Sequence, residues 1–266
     1  MAAQTIDDVL MALDAVIERA RAERDRTGYF AALYREVTQR VRDGIAAGRF
    51  EDGARMERLD VIFANRYLRA LDQHRRGVSP SRCWAVAFEA APAWSPLILQ
   101  HLLMGINAHI NLDLGIAAAE TVPGDALPAL RRDFEEITLL LGEMLDDVQE
   151  RIGAVSPWLW VLDRVGARSD EEIFSFVLGK ARGFAWQLAE NLAPAGEPER
   201  VLLIELTDEV VALLGRRIRS PRWLLRPVLT AVRAREQSDA AVVMAALDAT
   251  GAARPTAGRR MGYRDG

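Results

Sequence analysis

The stretch Leu97–Glu120, LILQHLLMGINAHINLDLGIAAAE, decides the fold. It is long enough for six helical turns and apolar nearly all the way round, the pattern of a helix buried on every side. Set into it are Gln100, His101, Asn107, His109, Asn111 and Asp113. At about 100° per residue, Gln100, Asn107 and Asn111 share one narrow sector. His101, Gly105, His109 and Asp113 are spaced by four and form a second row. Gly105 gives up about 1 kcal/mol of helix propensity relative to alanine, and predicts a hollow between the two histidines. Buried polar side chains are costly unless each is hydrogen-bonded, paired or bound to something. The stretch therefore predicts a site as well as a core.

Around it, 266 residues with 50% apolar content suffice for one large globular domain. The expectation is a single all-α domain over 1–250, a multi-helix bundle around 97–120, followed by a disordered tail at 251–266. A net charge of −4 argues against nucleic acid or an anionic membrane as the main partner. One cysteine, Cys83, rules out an internal disulfide and any cysteine-based metal cluster. The first residues, MAAQTIDDVL, carry acids where a secretory leader carries lysines. The polar rows of the central helix suit a protein interior better than lipid, so no stable membrane insertion is expected. The expected location is the cytoplasm, with a small-molecule ligand as partner and self-association left open.

The flanking helices supply further candidates. Thr5 with Asp8 predicts an N-cap for the first helix, and a second runs near Tyr29 to Ala47. In the third, about Asp52 to Arg75, Met56, Phe63, Tyr67 and Leu71 share a face that has Asp60 at its middle. A carboxylate there needs a partner: a buried ion pair, a cap to a neighbouring helix, or a site. One long helix is predicted from about Leu130 to Ile152, with Asp133 on its core side near the N-terminus, where dipole stabilisation or capping is the simpler reading. Further on, Arg182 and Trp186 are four apart, so the guanidinium can lie on the indole or hold an inward carboxylate or anionic ligand. Residues 216–235 hold seven arginines with Trp223, Leu224 and Leu225 interleaved, read as a solvated face before a membrane or polyanion contact.

Three readings of the central helix stand side by side. His109 and Asp113 suit a divalent metal such as Zn, Fe or Mg, with Asp60 or Asp133 completing its coordination. His101, roughly 12 Å along the axis from His109, is too far to share one ion with that pair without help and could orient a ligand. Without a metal, Asp113 fixes the tautomer of His109, which then moves a proton. In the third reading the polar groups form a structural network. Asp146, Asp147 and Glu150, in DDVQE, resemble the aspartate-rich Mg²⁺ motif of class I terpene synthases, but that family's second motif is missing. Phosphate-binding loops, the dinucleotide glycine pattern, the nucleophile elbow and H-E-x-x-H are all absent, and three histidines cannot build a helical phospholipase's zinc cluster.

The strings LDVIFANRYLRALD (59–72), HLLMGINAHINLDLGIA (101–117) and ARGFAWQLAENL (181–192) resemble the signature of a family of uncharacterised, mainly bacterial, all-helical proteins. The resemblance spans about 25–195 and implies that Asp60, Asn65, Arg66, Tyr67, His101, Asn107, His109, Asn111, Asp113, Arg182 and Trp186 are family features. It carries no activity with it. The preferred expectation is a small-molecule enzyme in which His109, Asp113 and His101 do the chemistry. Asn107, Asn111, Arg182, Tyr67 and Trp186 would contact substrate, and His109, Asp113 and Asp60 would hold any metal. The rival is a non-catalytic binding or scaffold protein.

Overall fold

The computed structural model describes residues 2–161, 170–220 and 225–248, and every regular element among them is helical. The chain runs α1 (Ile6–Glu23), α2 (Gly28–Ala46), α3 (Gly53–Arg75), α4 (Arg82–Phe88) and α5 (Ile98–Ala108). A π-helical segment, His109–Leu114, then leads into α6 (Gly115–Thr121). A 3₁₀ segment (Gly124–Leu130), α7 (Arg131–Glu143), α8 (Leu145–Val155), α9 (Asp170–Leu192), α10 (Glu197–Arg219), α11 (Arg226–Arg233) and α12 (Ala240–Leu247) follow. The tail from 251, the Ser169–Glu172 start of α9 and the Trp223–Leu224 pair lie outside the described residues or side chains.

The Thr5 cap is formed as a full capping box with Asp8. The predicted long helix after Leu130 is instead two helices that meet at Met144, whose φ and ψ are −93° and −12° and whose amide donates back to the Leu141 carbonyl at 3.2 Å. Gly142, two residues earlier, weakens the helix at that point.

Ile98–Thr121 forms the centre of the bundle and is long and apolar enough to cross a membrane, yet 89% of its apolar window is buried inside the protein. Its first half packs on α4, α10 and α2; its second half packs on α9 and α3. The predicted polar sector is a seam with α10. Gln100 donates to the Ile218 carbonyl, Asn107 to the Val211 carbonyl at 2.9 Å, and Asn111 to Asn107 Oδ1 at 3.0 Å. These amides fix how α10 sits on the central helix, and neither asparagine borders the cavity described below.

Two glycines set close approaches. A Cβ at Gly105 would stand 2.6 Å from the Phe30 ring, so the expected hollow between His101 and His109 is filled by a side chain from α2. A Cβ at Gly115 would stand 2.7 Å from the Ala185 carbonyl, which is how the α9 backbone comes against α6.

Buried acids lock helix starts from a distance. Asp133 accepts from the Glu51 and Asp52 amides and from Arg55, at 2.6, 3.2 and 2.6 Å. It thus closes the N-terminus of α3, with both of its oxygens already bonded. Asp208 does the same for α4 through the Arg82 and Cys83 amides, and Glu236 for α5 through Ile98. Each satisfies backbone donors that a helix start leaves open.

Candidate functional site

At the centre of the bundle the backbone turns from α-helical to π-helical over His109–Leu114. Such segments are rare, and they are frequent at functional positions because they push a side chain out of the ordinary register. Here both His109 and Asp113 belong to the widened turn and are 2% exposed. His109 Nδ1 lies 3.2 Å from Asp113 Oδ2. Asp113 also receives Arg66 Nε on its other oxygen and Trp84 Nε1, each at 2.8 Å. Burial pushes the Asp113 carboxyl up. The His109 hydrogen bond, the Arg66 charge and Trp84 outweigh it and hold the group below its ordinary value, as a carboxylate.

Next to an ionised Asp113, the proton of a neutral imidazole belongs on Nδ1. Burial is the largest influence on His109 and lowers its pKa despite the neighbouring carboxylate, so the ring is neutral near pH 7. The Nε2 lone pair is then free, and among the described residues the buried Nε2 has no hydrogen-bond partner. The ring is gripped on its faces: Phe63 stacks at 3.5 Å between centroids and 7° between planes, and Tyr34 meets it edge-on at 4.6 Å. Orientation and tautomer are both fixed, with one nitrogen left open.

His109 borders a cavity of about 100 Å³ between α2, α3, the central helix, α7, α8 and α9. Its walls are almost wholly aliphatic and aromatic, among them Leu33, Val37, Met56, Ile110, Leu141 and Met144. Four of its lining residues are polar or charged: Tyr34, Asp60, His109 and Arg182. Asp60 is 6% exposed, and burial, with the Glu57 charge behind it, pushes its carboxyl up to about 7. Its Oδ2 has no partner among the described residues. Among the described residues the other buried acids all have partners: Asp113, Asp133, Asp208 and Glu236 through the bonds above, and Glu36 through Arg151. Asp60 stands apart from them. Tyr34, beside Thr38, has its hydroxyl pushed well up by burial and by the charges of Asp60 and Asp113.

The candidates thus separate by position. His109, Asp60 and Arg182 share the cavity wall, and Asp113 stands behind His109. His101 lies elsewhere, against the edge of Tyr29 at 5.8 Å, where burial and the charges of Arg26, Arg233 and Arg219 depress it to about 3. Tyr67 is fully buried against Phe30 and Trp84 and does not line the cavity. The expected Arg182–Trp186 stack is replaced by two others: Arg182 lies 4.4 Å over Phe134, and Arg131 lies 4.8 Å over Trp186. Trp186 turns its indole N–H to Glu190 at 2.7 Å.

The metal expectation loses part of its donor set, since both Asp113 oxygens are occupied by cationic or N–H donors. Among the described residues no group of three or more histidine, cysteine or acidic side chains is gathered for a metal. Asp146, Asp147 and Glu150 are exposed on α8, away from the cavity. Of the arginine-rich segment, Arg233 is buried, bonded to the Trp94 carbonyl and near Glu236, and Arg235 lies over Trp158.

Sequence reasoning missed Trp84 and Tyr34, and it named Arg66 only through the family resemblance. No local spacing connects Trp84 to Asp113; a helix crossing brings them together.

No curated protein and no solved structure matches the chain. One family's sequence model does, over residues 6–221, which reaches beyond the 25–195 of the resemblance at both ends and covers the elements that build the cavity. With most of its length matched, the chain belongs to the family of unknown function DUF5995.

Proposed function

We propose that the cavity is the active site of an enzyme that moves a proton on a small, mostly apolar molecule. His109 is its general base, Asp113 the group that orients His109, and Asp60 a second titrating group. The observation that carries this reading is the unpartnered, buried Nε2 of His109 on the wall of an apolar cavity, with Nδ1 held from behind. A neutral imidazole positioned this way accepts a proton at Nε2 and passes it on, and the Asp113 carboxylate stabilises the imidazolium that forms. Asp60, with its pKa near 7, exchanges a proton at the pH where the enzyme works. Environments that hold one carboxyl ionised and raise another are the usual mark of an acid/base pair. A metal-assisted version of the chemistry would have His109 Nε2 and Asp60 as its available donors.

Incubation in deuterium oxide with a panel of carbonyl compounds and esters of about four to six carbons, followed by NMR, tests this. Deuteration or hydrolysis of at least one compound is expected, and His109→Gln should slow it by about 100-fold or more. Compounds that stabilise the protein against heat yet are never turned over would overturn the catalytic reading and favour a binding protein.

A further inference from the structure

Arg182 raises a question that the proton-transfer chemistry does not answer. It is 5% exposed. One terminal nitrogen donates to the Phe134 carbonyl, the guanidinium lies over the Phe134 ring, and the buried Nε has no partner among the described residues. Among the described residues no acidic side chain is paired with it. Asp133, next in sequence to Phe134, is turned away to Arg55 and the start of α3. Burial alone accounts for the fall of its pKa to about 10, so at neutral pH it remains a cation. The buried Arg233, by contrast, has Glu236 at 3.5 Å. A buried, uncompensated guanidinium is expensive to keep, and this one lines the cavity that His109 also lines.

We infer that the cavity takes a carboxylate-bearing apolar molecule, its headgroup on Arg182 and its carbon skeleton along the aliphatic walls. This rests on the cavity being the site proposed above. A planar, bidentate guanidinium matches a carboxylate. The size favours a short, slim chain over a ring: about 100 Å³ here, smaller than the ~150 Å³ of an engineered cavity that binds benzene.

Sodium hexanoate and 1-hexanol, equal in chain length and different in headgroup, separate the parts. Hexanoate well above its Kd should raise the Tm of the wild type by ~2–5 °C, and 1-hexanol by much less. Arg182→Met should lose the hexanoate shift and keep that of the alcohol, and Arg182→Lys should retain part of it. Equal shifts from the two probes, a hexanoate shift that survives Arg182→Met, or no hexanoate shift at all overturns the assignment. In the first two outcomes the cavity still binds, and the reading of His109 is untouched.

An independent observation concerns α10. Its outer face carries Val201, Leu202, Leu206, Val210, Leu213 and Leu214, each 45% to 56% exposed. Leu202, Leu206, Val210 and Leu213 follow helical spacing, so they form one stripe. Glu199 continues it at the N-terminal end and Arg217 at the C-terminal end, both exposed. Laid antiparallel on a copy of itself about a two-fold axis between Leu206 and Val210, the stripe sets Leu202 against Leu214 and Glu199 against Arg217. A stripe that is acidic at one end and basic at the other is complementary to its own reverse.

We propose that α10 pairs with α10 of a second copy. One helix pair makes a small interface, so the dimer should dissociate at about micromolar Kd. In sedimentation equilibrium the wild type should dimerise at ~100 μM and Leu206→Lys should stay monomeric. Glu199→Lys should weaken the dimer, and Glu199→Lys combined with Arg217→Glu should restore it. A monomeric wild type at that concentration, or a dimer indifferent to Leu206→Lys, overturns the proposal.

Discussion

Asp113→Ala is expected to lower stability by about 3–5 kcal/mol, the usual cost of removing one partner from a buried charged cluster. The carboxylate receives Arg66, Trp84 and His109; the alanine leaves the buried Trp84 and His109 donors without it, while Arg66, partly exposed, keeps Glu120 at 4.0 Å. Two of the three belong to α3 and α4, so the loss also loosens the helices that wall the centre of the bundle. Asp113→Asn keeps the shape and one acceptor oxygen and should cost less. Urea unfolding of the three proteins measures this. A loss below about 1 kcal/mol for Asp113→Ala would mean that the cluster contributes little beyond ordinary hydrogen bonds.

Asp60→Asn should act in the opposite direction, and its effect should grow with pH. The folded-state pKa is about 7, against 3.8 for the free side chain. Between those values the native state holds a proton that the unfolded chain has released, so stability falls as pH rises from about 4 to 7 and then levels off. At ~1.4 kcal/mol per pH unit the wild type gives up about 4 kcal/mol in full, and about 3 kcal/mol between pH 5 and 8. Asparagine removes the charge at nearly constant volume. The stability of Asp60→Asn relative to wild type should therefore rise by about 2–3 kcal/mol between pH 5 and pH 8 in urea titrations. A pH-independent difference would show that Asp60 has a partner after all. A carboxyl that costs this much at neutral pH, when the other buried acids among the described residues are all bonded, fits a residue kept for its chemistry.

Much of the architecture was legible from periodicity, because a helix must show one apolar stripe to its neighbours. Thr5, Gly105 and the Gln100–Asn107–Asn111 sector were visible as features, and the sector proved to be a seam. What the amides bond to was not legible, since the Val211 and Ile218 carbonyls come from a helix a hundred residues away. Gly105 was read as empty space because a sequence shows a missing side chain without showing the Phe30 ring that fills it. The i, i+4 rule placed Arg182 on Trp186 because it describes neighbours on an exposed helix face. Arg182 is buried and faces another helix, so Phe134 takes the guanidinium. The break at Met144 was hidden because the apolar stripe runs on through it.

The π-helical segment was invisible for a different reason: it is made of residues any α-helix would accept, and only their register is unusual. That register has a consequence for how the chain tolerates change. Upstream of the widened turn the helix addresses α10, and downstream it addresses α9. Loss of one residue within 109–114 would swing everything beyond it by roughly 100°. Gly115 would leave the Ala185 carbonyl, and a bulkier neighbour would meet it instead. Side-chain identity here can vary as far as chemistry permits, but the number of residues between Ala108 and Gly115 is fixed by the two helices on either side.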